Sequence, residues 1–403
     1  MYQFTRPFVH PVSSPIRDVF KYLSVPGMIS FAGGYPDPKL YDIEGLGEAS
    51  VRAYKDSLGC LQYGVTGGIA KLKTEIVSLM AARGVKTGPE NVVATTGSQQ
   101  AFDLLLRVLV NEGDVVLVEN PTYTNNILAL RVQGARMVAI PSDGDGLDVE
   151  ELERVLKNSK TDADRPKLLY TVPAFGNPTG AMLSLKRRLR LLELAVRYRF
   201  VIAEDDPYGD LRFSDDAVPS LRALVREVEG SEDWVVHMAS LSKIVSPGLR
   251  VAWSVSPFEI ARRCEVAKQS ADVGSSPWTQ AIAAEYLASG RLGPHLERIR
   301  HAYREKCHAL CASLRKQMAD AVSFHEPQGG MFVWARLKGG MKSGDLLKAA
   351  IEQKVVFVPG TGFHVNDADD STFRLSFSTP SVPDIEEGVI RLSKAWETVL
   401  AAS

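Results

Sequence analysis

Lys243 stands in the segment SLSKIVSPGLR, with Ser240 and Ser242 just before it and Arg250 seven residues on. Lysine is most often a solvated surface charge. Two hydroxyls and a guanidinium beside one amine, however, suit a phosphate ester whose aldehyde carbon the amine captures. A second anion-binding pattern is ATTGSQQAFDLL, which reads as strand, glycine turn and helix start. Ser98 and Gln99 there present backbone N–H groups at a helix N-terminus, where the macrodipole favours an anion. In isolation the same motif reads as an ordinary N-cap serine. In EDDPYGDL, Asp205 and Tyr208 are three residues apart, although an isolated aspartate at a strand end is commonly a cap or turn residue. Asn177 in PAFGNPTG, Tyr123 in ENPTYTNN and Arg374 in STFRLSFS read singly as a turn residue, a core ring and a solvated charge.

Such scattered groups do chemistry only if a scaffold gathers them. The segments NVVATT, DVVLVEN, ARMVAI, KLLYTVP, RFVIAEDD, WVVHMAS and VAWSVS are nearly all apolar and are separated by helix-length stretches. That pattern predicts an α/β fold with a mostly parallel central sheet sandwiched by helices. Ligands collect beyond the carboxyl ends of such strands, where TTGSQQ, ENPTY, PAFGNPTG, EDDPY and SLSK all fall. After about residue 290 a long helical segment leads into FVWARL, VVFVPG and FRLSFS, with two further helical stretches. This reads as a smaller α+β domain. The expected division is an arm over residues 1–40 packing on the active site and small domain, a large domain over 41–288 and a small domain over 289–403.

Taken together, these motifs resemble the class I/II aminotransferases of pyridoxal phosphate (PLP) fold type I. SSPIRDVFKYL followed by ISFAGGYPDP, with GSQQ and EDDPY, resembles the kynurenine/2-aminoadipate aminotransferase subgroup. The resemblance runs from about Ser14 to Ser378 and implies the PLP-transferase fold, PLP as cofactor and Lys243 as its Schiff-base lysine. By the same resemblance Asp205, rather than the adjacent Asp206, bonds the protonated pyridine nitrogen, and Tyr208 bonds the ring oxygen. Asn177 bonds that oxygen too and helps hold the substrate carboxylate, while Tyr123 stacks on the ring. Ser98, Gln99, Ser240, Ser242 and Arg250 surround the phosphate. Tyr63, in LQYGVTGG, matches a tyrosine that reaches the phosphate of a neighbouring subunit, which implies a homodimer with shared active sites. Arg374 matches the arginine that clamps the substrate α-carboxylate with a bidentate fork. Ile16, Arg17, Gly34 and Tyr35 match residues that shape the side-chain pocket. Three readings of Arg17 stay open: it pairs with a distal carboxylate, swings aside for an aromatic ring, or anchors the arm. Tyr35 departs from the leucine frequent in relatives, and Ala252 from a frequent glycine.

The activity implied is ping-pong transfer of the amino group of an aromatic, 2-aminoadipate-like or aliphatic α-amino acid to a 2-oxo acid, with 2-oxoglutarate expected. The same lysine, aspartate and asparagine would serve a β-lyase or decarboxylase, because the bond broken depends on its alignment to the ring. A non-catalytic or regulatory PLP-binding protein is the reading of a different class. Retention of Asn177 and Arg374 weighs against it, as does the short stretch before the arm motif, too short for a winged helix. The chain has 403 residues, 45% hydrophobic, and a formal net charge of −1, which gives no nucleic-acid footprint. Its apolar runs are too short for a membrane span, and its first residues lack a secretory pattern. The four cysteines form no CxxC pair and no metal-ligand spacing. A cytoplasmic protein without metal is expected.

Overall fold

The computed structural model describes residues 2–9, 19, 21–22, 24–366 and 368–402. All seven apolar segments enter one eight-stranded sheet. Its order is Val92–Thr95, Ala252–Val255, Val235–Ser240, Val201–Asp205, Pro166–Thr171, Val115–Asn120, Arg136–Asp143 and Gly146–Leu147. The five strands from Val235–Ser240 to Arg136–Asp143 are parallel. Ala252–Val255 runs antiparallel to both its neighbours, as does Gly146–Leu147 to its one.

Every residue of Val201–Asp205, Val235–Ser240 and Ala252–Val255 is buried, which is why these strands read as continuous apolar runs instead of alternating. Successive side chains still point to opposite faces. Val116, Leu168, Tyr170, Val236 and Met238 enter one core cluster, and Val115, Leu117, Leu169, Ile202 and Val235 enter another. Helices such as Ser98–Leu109 and Leu185–Tyr198 cover the two faces with their own buried leucines.

Register explains how distant motifs meet. Ala252 pairs with both Thr95 and Ser240. The carboxyl ends of two strands therefore flank the amino end of the antiparallel strand between them. Arg250, just before that amino end, is thereby delivered to the edge that carries Ser98 and Lys243.

A smaller domain is built on an antiparallel sheet ordered Val322–Phe324, Phe332–Leu337, Thr372–Ser376 and Val358–Pro359. The helices Leu292–Gln317, Ser343–Glu352 and Val382–Ala402 belong to this part of the chain. The segment VVFVPG is split between two sheets. Val355–Val356 pairs in parallel with Ile29–Ser30, whereas Val358–Pro359 pairs with Thr372–Ser376. Pro359 has no N–H to continue a ladder and so ends the strand at the sheet edge. Phe31 N donates to Val356 O at 2.8 Å and Phe31 O accepts from Ser376 N at 2.7 Å, so the segment leading to FAGGYPDP is sewn to this sheet. Among the described residues no helix is long and apolar enough to cross a membrane.

Candidate active site

A cavity of about 360 Å³ opens at the carboxyl edge of the large sheet, between it, the small-domain sheet and the loop that holds Gly34 and Tyr35. Lys243 Nζ reaches into it and donates to Gly34 O at 2.8 Å. Burial, reinforced by the positive charges of Arg374 and Arg250, lowers its pKa to about 8. Asp205 ends its strand 6% exposed, with Oδ2 accepting from Tyr170 Oη at 2.8 Å. Its Oδ1 is buried without a hydrogen-bond partner. Burial pushes this carboxyl up to about 7, with Asp206 adding and the Tyr170 hydroxyl opposing. An unpartnered buried carboxylate oxygen is a receptor for a cationic N–H. Asp206 instead caps the following turn, accepting from Gly209 N at 2.9 Å. Tyr208 and Tyr123 complete this wall, both with phenol pKa values raised, mainly by burial. The Tyr123 hydroxyl accepts from Asn125 Nδ2 at 2.8 Å.

One end of the cavity is formed by a glycine turn and a helix start. Gly97, at φ 97°, turns the chain into the helix Ser98–Leu109, and Ser98 and Gln99 line the cavity. A Cβ on Gly97 would meet the Arg250 guanidinium, the movable end of a flexible side chain, so it is chiefly the backbone conformation that favours glycine here. Arg250 Nη2 donates to Thr96 O at 3.1 Å. Ser240 Oγ donates to Ser242 Oγ at 2.8 Å and accepts from Ser242 N at 3.0 Å.

At the other end lies Arg374, 1% exposed, on the strand Thr372–Ser376. One Nη donates to Asn177 Oδ1 at 2.7 Å and the other to Ala32 O at 2.6 Å. The guanidinium lies 4.4 Å from the Phe332 ring centre and 5.1 Å from that of Phe363. Burial lowers its pKa to about 10. Among the described residues no carboxylate pairs with it. Gly34 and Tyr35 line the same region, Tyr35 47% exposed. A Cβ at Gly34 would stand 3.3 Å from the Phe332 ring.

Thirteen of the sixteen candidate residues thus border one cavity. Ile16 and Arg17 lie outside the described residues. Tyr63 is 86% exposed and does not line the cavity of its own chain. Three participants went unmarked in the sequence: Tyr170, Asn125 and Phe332. Tyr170 lies within an apolar strand, where a tyrosine looks like core. Asn125 stands two residues past Tyr123, and this short spacing was the only local signal.

A buried amine of lowered pKa, a buried carboxylate oxygen without a partner and a glycine turn that opens a helix fit PLP, and the fold places the chain among PLP-dependent enzymes of fold type I. The aminotransferase class I and II family model matches residues 33–392, and the chain belongs to that family. A 2-aminoadipate transaminase of Thermus thermophilus is 40% identical over 390 residues, 96% of this chain and 95% of that protein. Aromatic-amino-acid aminotransferase 1 of Thermococcus litoralis is 36% identical over 384 residues, 95% of this chain and 91% of that one. The crystal structure of an alpha-aminoadipate aminotransferase of Thermus thermophilus, complexed with N-(5'-phosphopyridoxyl)-L-leucine, superposes with a TM-score of 0.90. It is 38% identical and covers 99% of this chain and 98% of its own. The chain is a PLP-dependent aminotransferase.

Proposed function

We propose that this aminotransferase moves the amino group of an aromatic, 2-aminoadipate-like or aliphatic α-amino acid to 2-oxoglutarate, in two half-reactions that alternate at one cavity. The observation that carries the reading is Arg374, a 1%-exposed guanidinium without a carboxylate partner among the described residues, in the same cavity as the Lys243 amine. A buried cation is costly until a counter-charge arrives. The α-carboxylate shared by amino and 2-oxo acids supplies it with two parallel hydrogen bonds. The names of the relatives, 2-aminoadipate and aromatic aminotransferases, support these donor classes.

When bound, PLP supplies the sink for the electron pair left as a proton departs the substrate α-carbon. Lys243 Nζ would hold the cofactor through its aldehyde carbon. Once free of that anchorage, the Lys243 amine would serve as the base that moves a proton from the substrate α-carbon. A pKa of about 8 leaves a useful fraction of the amine unprotonated near neutrality, fit to act as nucleophile and base. Asp205 Oδ1, buried without a partner, would accept the ring N–H and favour its protonated form. Tyr208 and Asn177 would bond the ring oxygen, and Tyr123 would stack on the ring. Ser98, Gln99, Ser240, Ser242 and Arg250 hold the phosphate. Tyr63 of a second copy completes that site, so the active unit is a homodimer. Ile16, Arg17, Gly34 and Tyr35 shape the pocket for the substrate side chain. In this division the 41–288 domain carries the cofactor, while the 1–40 arm and the 289–403 domain bring the substrate-binding groups.

Cytoplasmic action is part of the proposal; the four cysteines, all free, are in keeping with a reducing compartment. The test is a panel of kynurenine, 2-aminoadipate, leucine, methionine, tyrosine and alanine with 2-oxoglutarate and PLP-loaded protein. Labelled glutamate is expected from at least one donor. Release of ammonia or carbon dioxide without glutamate would replace transamination by lyase or decarboxylase chemistry.

A further inference from the structure

Behind the Thr96–Ser98 turn lies a charged cluster that none of these steps uses. Lys268, on the helix Phe258–Ala271, is 0% exposed. Its Nζ donates to Gln100 Oε1 at 2.9 Å, to the two oxygens of Asp272 at 2.9 and 2.7 Å, and to Ser275 Oγ at 3.0 Å. Gln100 relays the contact to the turn. Its Oε1 also accepts from Thr96 N at 2.8 Å, and its Nε2 donates to Asp272 Oδ2 at 2.7 Å. Thr96 Oγ1 lies 3.0 Å from Ser275 Oγ, and Thr96 O is the acceptor for Arg250.

Two features mark this cluster as more than packing. A fully buried ammonium is costly to desolvate, and apolar residues of like volume often serve stability as well or better. The loop it holds passes through Val273 at φ 64°, a left-handed conformation that a β-branched residue adopts only where its surroundings impose it. On its far side the cluster reaches the segment after Tyr63. Gln280 Nε2 donates to Ser275 O at 2.9 Å, and Gln280 Oε1 accepts from Ile69 N at 2.9 Å.

We propose that Lys268 is a positioning residue for the cofactor phosphate. It locks the turn that presents the Ser98 N–H and Arg250 to the anion, and it fastens that turn to the segment that carries Tyr63 toward a second copy. The inference rests on the phosphate lying at the Gly97–Ser98 turn, as proposed above.

Equilibrium binding of PLP and of pyridoxal, which lacks the phosphate, to the apo-protein provides the test. Lys268→Met is expected to weaken PLP about tenfold to a hundredfold, the range of a lost charge-assisted contact, and to leave pyridoxal binding unchanged. Lys268→Arg, which keeps the charge, is expected to restore part of the loss. Lys268→Met strands the Asp272 carboxylate, so the charge-balanced pair Lys268→Met/Asp272→Asn is measured beside it and is expected to show the same selective loss. Arg250→Met serves as the control for the phosphate position. If it weakens PLP selectively while Lys268→Met and Lys268→Met/Asp272→Asn bind PLP like the parent, or lose PLP and pyridoxal equally, Lys268 has no positioning role. If Arg250→Met shows no selectivity for PLP over pyridoxal, the phosphate position itself falls, and the inference with it.

Discussion

Arg374 and Asp205 are buried charges, each with hydrogen-bonding capacity left unspent: Nε of the arginine and Oδ1 of the aspartate have no partner. Lys in place of Arg374 keeps the charge but cannot bridge Asn177 and Ala32 O while forking a carboxylate. Arg374→Lys should raise KM for the amino acid about tenfold to a hundredfold, with the absorbance of bound PLP intact, as steady-state kinetics and spectra would show. Asp205 has a consequence for pH. In the cofactor-free fold its carboxyl titrates near 7 instead of 3.8. Below about pH 4 both folded and unfolded chains hold the proton, and the group contributes nothing. Between about 4 and 7 only the fold holds it, so this group's contribution to stability falls as pH rises; above 7 the loss is complete. Apo Asp205→Asn should therefore gain on the parent through that window, by on the order of 3–4 kcal/mol. Thermal unfolding of both apo-proteins from pH 4.5 to 8 measures the gap, and a gap independent of pH would refute the assignment.

At the scale of elements, the loop Phe31–Asp37 decides where Gly34, Tyr35 and the Ala32 carbonyl stand. Lys306, on the long helix Leu292–Gln317, fixes it by donating to Asp37 Oδ2 at 2.6 Å and to Ser378 O at 2.7 Å. Asp37 N donates to Tyr303 Oη at 3.1 Å, and Ser378 Oγ donates to Tyr35 O at 2.6 Å. Lys306→Met leaves the Asp37 carboxylate enclosed and unpaired. A loss of about 3 kcal/mol in urea unfolding is expected, together with a higher KM for the amino acid, because an Arg374 partner moves with the loop. Adding Asp37→Asn should recover part of the stability. None of this network was readable from the sequence, because its partners lie 72 to 343 residues apart and each is ordinary in its own neighbourhood. The large sheet was readable, since strands covered on both faces must be continuously apolar. The two-residue strand Ile29–Ser30 and the short Val322–Phe324 were not, because their pairing comes from tertiary contacts. In the cavity, motifs at strand ends announced Lys243, Asp205 and Ser98. Tyr170 and Phe332 stayed hidden, since each sits in an apolar run where an aromatic ring signals only core.

At the scale of the whole molecule, one surface is conspicuously apolar. Ile43, Val51 and Tyr54 on the helix Ile43–Lys55, Leu58 and Leu61 on the helix Ser57–Leu61, and Tyr63 and Val65 just beyond are each more than half exposed. Exposed apolar side chains so close along the chain suit an interaction surface. It leads directly into the Gly67–Ile69 segment, where Gly67 O accepts from Ala94 N at 2.9 Å, close to the Thr96–Ser98 turn. A second copy seated here would carry Tyr63 away from its own cavity and toward the other. That arrangement can be told from a simple dimer by complementation. If Tyr63 acts across the interface, a hybrid of a Lys243→Ala chain and a Tyr63→Ala chain contains one site with an intact lysine and an intact partner tyrosine. Its other site has neither. Mixing the two variants under conditions that exchange subunits should therefore raise activity at limiting PLP above that of either variant alone. If Tyr63 serves its own chain, no hybrid site is restored and the mixture stays between its components.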